Sequence, residues 1–171
     1  MGTAEIVDAP ILGVDPGLNI TGYGVIRAGA TGSPEILEAG VIRTRAKNSL
    51  EQRLVELRDG LREVIAAHRP GVLALEQLFS HYERPKTAIL MGHARGVICL
   101  LAGEANIRVE SFEPTRVKKM MTGNGRAPKN QMQMAVKLQL NLAEPPDPPD
   151  VADALAIALC QFQIDQQQVA L

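Results

Sequence analysis

Aromatic residues are scarce in this chain. They make up 3% of the 171 residues, with no tryptophan, three phenylalanines and two tyrosines. Apolar residues still account for 46% of the chain, which is ordinary for a globular protein. The sequence therefore predicts a core built from aliphatic side chains, in which each of the few aromatic residues is informative.

Cysteines and long apolar runs are also rare. The two cysteines, Cys99 and Cys160, lie in apolar helical patterns, which is typical of buried free thiols in a reducing compartment rather than of a disulfide. The N-terminus has no basic and then apolar leader, and no apolar run approaches the roughly 18 residues of a membrane-spanning helix. We therefore expect a soluble, cytoplasmic protein that does not associate with membranes.

Charge is balanced overall but unevenly distributed. The net charge of −1 gives no indication of a nucleic-acid partner. From Pro114 through Ala143, however, there is no acidic residue, and Gly123 and Gly125 leave the backbone bare between basic residues. This stretch suits a phosphate backbone, although a solvated charged surface is the ordinary alternative. Its basic residues are Arg116, Lys118, Lys119, Arg126, Lys129 and Lys137.

Hydrophobic periodicity divides the chain into strands and helices. The first helix is predicted to begin after Ser49 or Asn48 and to end before Arg69. Strands are predicted at residues 10–14, 20–26, 35–43, 72–75 and 107–112, and further helices at residues 86–102, 114–121, 129–142 and 150–163.

The order of these elements indicates the architecture. It predicts a single α/β domain over residues 1–171, with a mixed five-stranded sheet, helices on both faces and an antiparallel hairpin at one side. A right-handed crossover places the strand at Val72 beside the strand at Ile11. Residues 1–9 are expected to form a loose arm and residues 164–171 a frayed tail.

Four carboxylates stand out in this framework. Asp15 and Glu76 each close a short apolar strand, at the carboxyl rim where parallel sheets bind ligands. Asp150 and Asp153 lie three residues apart at the start of the last helix. Taken singly, Asp15 can be explained as a turn residue and Asp150 by a favourable interaction with the helix dipole. Glu76 directly follows a buried strand, where partial burial of its charge costs free energy. If all four converge, their repulsion favours a divalent metal.

The residue types indicate which metal such a site would prefer. Hard carboxylate oxygens without a nearby pair of His or Cys residues suit Mg²⁺ or Mn²⁺ rather than Zn²⁺. Two such ions about 3.5–4 Å apart could activate a water and stabilise a leaving oxygen in phosphodiester cleavage.

Eight short motifs resemble, in the same order, those of the RuvC-type Holliday junction resolvases. The resemblance extends from Pro10 to about Gln161, and the segment from Ser80 to Lys86 departs from the usual family wording, which is small, basic and contains Asn. The motifs are Ile11–Gly17, Thr21–Ile26, Glu76–Phe79, His93–Gly96, Val117–Lys118, Thr122–Gly125, Ala127–Lys129 and Asp150–Ala156.

The resemblance implies a fold, an activity and partners. It implies an RNase H-like fold and a homodimeric, Mg²⁺-dependent endonuclease that resolves four-way DNA junctions by two symmetric nicks in recombination and repair. It implies Asp15, Glu76, Asp150 and Asp153 as the catalytic set, which binds two Mg²⁺ ions or Mn²⁺ in their place. It also implies cooperation with the RuvA–RuvB branch-migration machinery.

The resemblance also suggests which side chains contact DNA. The family uses lysines matching Lys118 and Lys129 near the scissile phosphate, so we expect Lys118 to stabilise transition-state charge and Lys129 to position the substrate. Phe79 is either a core residue or a ring that stacks on an unpaired base, and the resemblance favours stacking. Further candidate DNA contacts are Tyr82, Arg84, Lys86, Arg116, Lys119 and Arg126.

A stripe of small residues marks the helix predicted at residues 86–102. Ala88, Gly92 and Gly96 follow one another at intervals of four residues, so they share one face of the helix. The stripe would allow either tight packing on the sheet or a close helix–helix seam between two subunits. Symmetric nicking needs two active sites related by a two-fold axis, for which an isologous dimer is the natural assembly.

Other functions stay open at this point. An actin-like ATP-binding fragment also has an Asp-x-Gly phosphate loop after a strand, but 171 residues are too few for its two lobes and second glycine-rich loop. A catalytically silent junction-binding module is disfavoured by the presence of all four acids. An RNase H-like nuclease acting on RNA or on RNA–DNA hybrid is compatible with the basic stretch and with Phe79.

Overall fold

The computed structural model describes residues 9–78 and 84–169. In these ranges it contains five strands and five helices. Nearly all of the predicted N-terminal arm, residues 1–8, lies outside the described residues, as do Phe79 to Glu83. In chain order the elements are β1 (Ile11–Asp15), β2 (Ile20–Ala28), β3 (Pro34–Arg43), α1 (Leu50–His68), β4 (Val72–Glu76), α2 (Pro85–Glu104), β5 (Arg108–Phe112), α3 (Pro114–Thr122), α4 (Lys129–Gln139) and α5 (Pro149–Val169).

The strands form one mixed sheet in the order β3-β2-β1-β4-β5. β1 to β3 form an antiparallel meander, and β1, β4 and β5 run parallel to one another. This confirms the predicted mixed sheet, with Val72 opposite Ile11 and the hairpin at one side. Because β2 alone runs in the opposite direction, β1, β3, β4 and β5 all end at the same edge of the sheet, which we call the carboxyl edge.

Helices cover both faces of the sheet, as predicted. On one face, α1 and α2 pack on alternate residues of the central strands, such as Leu12 and Leu73. On the other face, α3, α4 and α5 pack on Ile11 and Ala74. Both core clusters are mainly aliphatic, and Cys99 and Cys160 are free thiols.

α5 is the most deeply buried helix. Every residue from Val151 to Phe162 is buried except the half-buried Asp153, and the helix lies across β1 and β2. An acid in an otherwise apolar segment is therefore held at the boundary of the core, where the helix meets the carboxyl edge.

The ends of α4 and α5 differ most from the sequence expectation. α4 ends at Gln139 rather than at Leu142, because Asn141 adopts a left-handed conformation with φ of 51°. α5 continues to Val169, so residues 164–169 are helical rather than a frayed tail. Ile164 packs against the core, and Gln161 Nε2 donates to Asp165 Oδ1 at 2.8 Å, which extends the helix. In the ranges described, no helix combines the length and apolarity needed to cross a bilayer.

Candidate active site

Two of the predicted acids end neighbouring parallel strands. Asp15 is the last residue of β1 and Glu76 the last of β4, and the residues before them, Val14 and Leu75, are paired in the sheet. Both carboxyl groups are half-buried and lie close enough to share a hydrogen bond. The sheet therefore brings together two acids that are far apart in sequence, as the predicted crossover requires.

The other two acids reach the carboxyl edge on the first turn of α5. A Cβ atom added at Gly22 would lie 2.1 Å from the Asp150 carbonyl oxygen, so the absence of a side chain there lets the helix begin directly on β2. Gly22 is paired with Asp15 in the sheet. The beginning of α5 is thus fixed beside the end of β1, and the negative charges of Asp150 and Asp153 both act on Asp15.

Burial and repulsion disfavour ionisation in this group. Burial and then the charge of Glu76 raise the pKa of Asp15 to about 8, with further contributions from Asp153 and Asp150. Burial is also the largest cause of the raised pKa values of Glu76 and Asp153. A positive charge placed near these three carboxyl groups would therefore stabilise their ionised forms.

Two lysines supply such charge from α3 and α4. Lys129 Nζ lies 3.6 Å from Asp153 Oδ2, and this ammonium group opposes the rise in the Asp153 pKa. Lys118 acts on both Glu76 and Asp153, where its charge also lowers the pKa. The two lysines for which the family resemblance implies a role near a scissile phosphate thus lie beside the acids.

Two of the acids and both lysines line a cleft of about 260 Å³. Its polar wall is formed by acids and lysines, and its other wall is apolar, which lowers the local dielectric and strengthens the charge interactions. Two acids, Glu76 and Asp153, and two ammonium groups, those of Lys118 and Lys129, therefore face the same space. Its lining residues are Glu76, Pro114, Val117, Lys118, Lys129, Met132, Asp153, Ala156 and Ile157.

The donor set fits a hard divalent cation. β1, β4 and α5 each contribute a carboxyl group whose pKa is raised. Carboxylate oxygens are the ligands that Mg²⁺ and Mn²⁺ prefer. In residues 9–78 and 84–169, however, no three His, Cys, Asp or Glu side chains converge closely enough to ligate one ion in this conformation. Asp15 is hydrogen-bonded to Glu76, and Asp153 points to Lys129, so ligation requires these side chains to rotate toward a common point.

Among the described residues, the remaining predicted DNA contacts do not line the cleft. Lys119 and Arg126 are exposed, and the Arg116 guanidinium lies over the Phe112 ring at 5.4 Å. Arg84 and Lys86 are exposed at the beginning of α2. Phe79 and Tyr82 lie outside the described residues.

Arg95 is a site residue that the sequence reasoning did not single out. Its Nε donates to the Glu76 carbonyl oxygen at 3.2 Å, and its Nη2 donates to Ser111 Oγ at 2.8 Å. The guanidinium therefore joins the ends of β4 and β5 and holds the backbone that carries Glu76. The local signals are its place in the motif His93–Gly96 and the presence of an arginine in the mainly apolar α2.

Comparison with known proteins identifies close relatives. The family model for the crossover junction endodeoxyribonuclease RuvC matches residues 11–161. A crossover junction endodeoxyribonuclease RuvC from Rhodopirellula baltica is 59% identical over 167 residues, which cover 94% of this chain and 92% of the relative. The enzyme of the same name from Thermomicrobium roseum is 44% identical, with 90% and 92% covered.

Solved structures show the same fold. Thermus thermophilus RuvC in complex with a Holliday junction substrate superimposes with a TM-score of 0.81 at 28% identity, covering 94% of this chain and 96% of that one. The yeast mitochondrial Holliday junction resolvase Ydc2 superimposes with a TM-score of 0.67, covering 94% and 80%. Its 16% identity supports similarity of fold alone.

Proposed function

Because this chain belongs to the RuvC family of crossover junction endodeoxyribonucleases, we propose that it resolves four-way DNA junctions by paired symmetric nicks. One observation supports placing the active site at the carboxyl edge. There, three acids lie beside two lysines: Asp15, Glu76 and Asp153 with Lys118 and Lys129. The product ends expected from this hydrolysis are a 5′-phosphate and a 3′-hydroxyl.

The four acids are proposed to hold two Mg²⁺ ions, for which Mn²⁺ can substitute. Bound divalent ions would supply neutralising charge to the phosphate and a lowered pKa for an attacking water. Asp15 is the most central candidate ligand, since its carboxyl is affected by the charges of Glu76, Asp153 and Asp150. Its position at the end of a buried strand fixes its backbone, so only its side chain must reorient.

The lysines are proposed to act on the scissile phosphate. Lys118 is half-buried on the wall of the cleft, where an ammonium group can stabilise the negative charge that develops during hydrolysis. Lys129 is more exposed and pairs with Asp153 at 3.6 Å. It can therefore neutralise a neighbouring phosphate and orient Asp153.

The family resemblance further supports roles outside the cleft. Phe79 is proposed to stack on an unpaired base at the junction centre, and Tyr82 is a weaker candidate for the same kind of contact. Exposed Arg84, Lys86 and Arg126 are proposed contacts to the phosphate backbone, together with Lys119 and Arg116. Cooperation with a RuvA–RuvB complex and a cytoplasmic location belong to the same proposal.

Two subunits are proposed to assemble through α2. A Cβ at Gly92 or Gly96 would meet no atom within 4 Å, so these glycines do not serve close packing within the subunit. Ile89 and Leu100 are 62% and 61% exposed on the same face. An exposed apolar face around small residues suits a helix–helix seam with a second copy, and the two-fold axis of such a dimer pairs the two sites.

The decisive test is cleavage of a synthetic four-way junction with and without Mg²⁺. The positions of the nicks on all four strands should be related by two-fold symmetry, and matched duplex DNA and RNA–DNA hybrid should be cut much less. Preferential cutting of the hybrid would instead favour the RNase H-like alternative. Binding of ATP in calorimetry, without junction cleavage, would favour the actin-like alternative.

A further inference from the structure

A second basic segment lies at the carboxyl edge, where it follows the outer strand β3. Between Glu38 and Glu51 the chain has no acidic residue and contains Arg43, Arg45 and Lys47. These three residues end β3 and begin the connection to α1, and all three are exposed. We call residues 43–49 the β3–α1 loop.

The sheet order places the acids between the two basic segments. β3 and β5 are the outer strands, and β1 and β4, which carry Asp15 and Glu76, lie between them. The β3–α1 loop follows β3, and the acid-free stretch that begins at Pro114 follows β5. Both segments therefore leave the sheet at the carboxyl edge, so positive charge flanks the acids on two sides.

The β3–α1 loop is rigidly joined to the turn that follows Asp15. Thr44 donates through its Oγ1 to the Leu18 carbonyl oxygen at 2.5 Å and through its backbone N–H to the Asn19 carbonyl oxygen at 3.1 Å. Arg53 on α1 donates to Thr44 Oγ1 at 3.0 Å and also to the Asn19 side chain. A ligand bound by this loop is thus held in fixed register with Asp15.

The charges of the loop are available for a ligand. None of the ion pairs found in residues 9–78 and 84–169 involves Arg43, Arg45 or Lys47. Glu56 accepts from the Arg45 backbone N–H at 2.7 Å and from Asn48 Nδ2 at 2.5 Å. Glu56 therefore shapes the loop and leaves the Arg45 guanidinium exposed.

We infer that the β3–α1 loop is a second phosphate-binding surface, which contacts the cleaved DNA strand or its duplex partner beyond the scissile phosphate. This inference rests on the proposed function. At about 4.8 Å per strand spacing, the outer strands β3 and β5 are about 19 Å apart, and β3 is about 10 Å from β1. For a duplex whose axis runs along the carboxyl edge, with one phosphate of each strand for about every 3.4 Å of axis, 10 Å corresponds to about three phosphates. The loop therefore contacts phosphates about two to four nucleotides from the cleaved bond.

Charge-removing variants test this surface in the full-length protein. Arg45→Gln and Lys47→Gln should each weaken binding to a four-way junction about threefold to tenfold, and each should reduce the slope of log affinity against log salt by about 0.9. Arg27→Gln is the matched control, because exposed Arg27 pairs with Glu35 near the opposite edge of the sheet, at 3.7 Å. The control should bind like the wild type, and thermal unfolding should show that all variants are folded.

A neutral methylphosphonate, placed in turn at each phosphate around the cleavage site, locates the contact. Substitution two to four phosphates away should weaken binding of the wild type but not of the Arg45→Gln, Lys47→Gln double variant. Suppose that the wild type binds and cuts the junction and that the loop variants bind it as well as the Arg27 control does. The inferred phosphate-binding surface would then be refuted, while the proposed function would stand. If the wild type neither binds nor cuts the junction, the proposed function is overturned and this surface with it.

Discussion

Gly13 on β1 lies directly against Ala154 on α5: a Cβ atom at Gly13 would be 2.2 Å from the Ala154 carbonyl oxygen and 2.8 Å from Ala158 Cβ. The contact is with backbone, so it cannot be relieved by rotating a side chain. Close approach of α5 to the sheet at this point sets the height of Asp153 above the carboxyl edge. The position of one acid therefore depends on the absence of a side chain on a neighbouring strand.

Gly13→Ala should displace α5 and separate Asp153 from the strand-end acids. We expect a loss of about 1–3 kcal/mol in the free energy of unfolding, or roughly 2–4 °C in Tm for each kcal/mol in a chain of this size, together with a larger loss of cleavage. Gly103→Ala is the control, since no atom lies within 4 Å of the added Cβ. Equal stability and activity of the two variants would contradict this account of helix placement.

Asp15→Asn should abolish cutting while leaving junction binding near normal. Because the Asp15 pKa is raised to about 8, a neutral amide should be tolerated at this position in the fold, whereas the proposed ligand for Mg²⁺ is lost. We expect at least about a thousandfold slower cleavage, because several kcal/mol of transition-state stabilisation depend on the metal. Single-turnover cleavage and junction binding in Ca²⁺ measure the two effects separately. A variant that binds poorly but cuts at the normal rate when saturated would refute the assigned role.

Lys118→Ala should slow cutting more than it weakens binding. Loss of an ammonium group that stabilises developing charge costs about a hundredfold in rate, whereas loss of one phosphate contact costs only a few-fold in affinity. Lys137→Ala, which removes a lysine that does not line the cleft, provides the comparison. An unchanged cleavage rate at saturating protein would remove Lys118 from the site.

Glu38 should make stability depend on pH. Its carboxylate accepts from Tyr23 Oη at 2.7 Å and is paired with His68 Nε2 at 2.6 Å, and these two hydrogen bonds lower the Glu38 pKa. Because the pKa of Glu38 is lowered on folding, its ionised carboxylate stabilises the folded state at pH values above its ordinary pKa of 4.5. This stabilisation is lost as the pH falls through the folded-state pKa.

Glu38→Gln therefore tests this dependence. The carboxylate is partly exposed, so we expect a modest loss, about 1 kcal/mol at pH 7, which shrinks below about pH 4. Urea unfolding across this range measures the difference, with Glu35→Gln as the control from an exposed ion pair. A difference that is constant with pH would show that the charge of Glu38 is not responsible.

Leu100→Glu should convert the proposed dimer into monomers. Leu100 is 61% exposed in the α2 face with Gly96 and Ile89, where a buried charge without a partner would be costly. Light scattering coupled to size exclusion should show a mass near 18.4 kDa for the variant and twice that mass for the wild type. Leu138→Glu provides the control, because Leu138 is 71% exposed on α4. If both variants remain dimeric, the interface lies elsewhere.

Local sequence patterns were sufficient for the elements and their order. Strands such as 72–75 are short, wholly apolar runs, and the first helix has a clear leucine periodicity and ends before Pro70, so the mixed sheet with helices on both faces followed from them. The end of α5 did not, because Ile164 and Asp165 become ordered through contacts with the core and with Gln161. The hydrophobic periodicity also did not predict the left-handed conformation of Asn141, which ends α4.

The sequence by itself determined which acids end strands and which helix carries the acid pair, since these are facts of order and spacing. Tertiary structure decided their distances, which depend on how closely α5 approaches Gly13 and Gly22, and it decided that Arg95 holds the end of β4. It also decided that the basic loop after β3 and the acid-free stretch after β5 leave the sheet on either side of the strands that carry Asp15 and Glu76. Such relationships join residues distant in the chain, and they arise only when strands pair and helices pack.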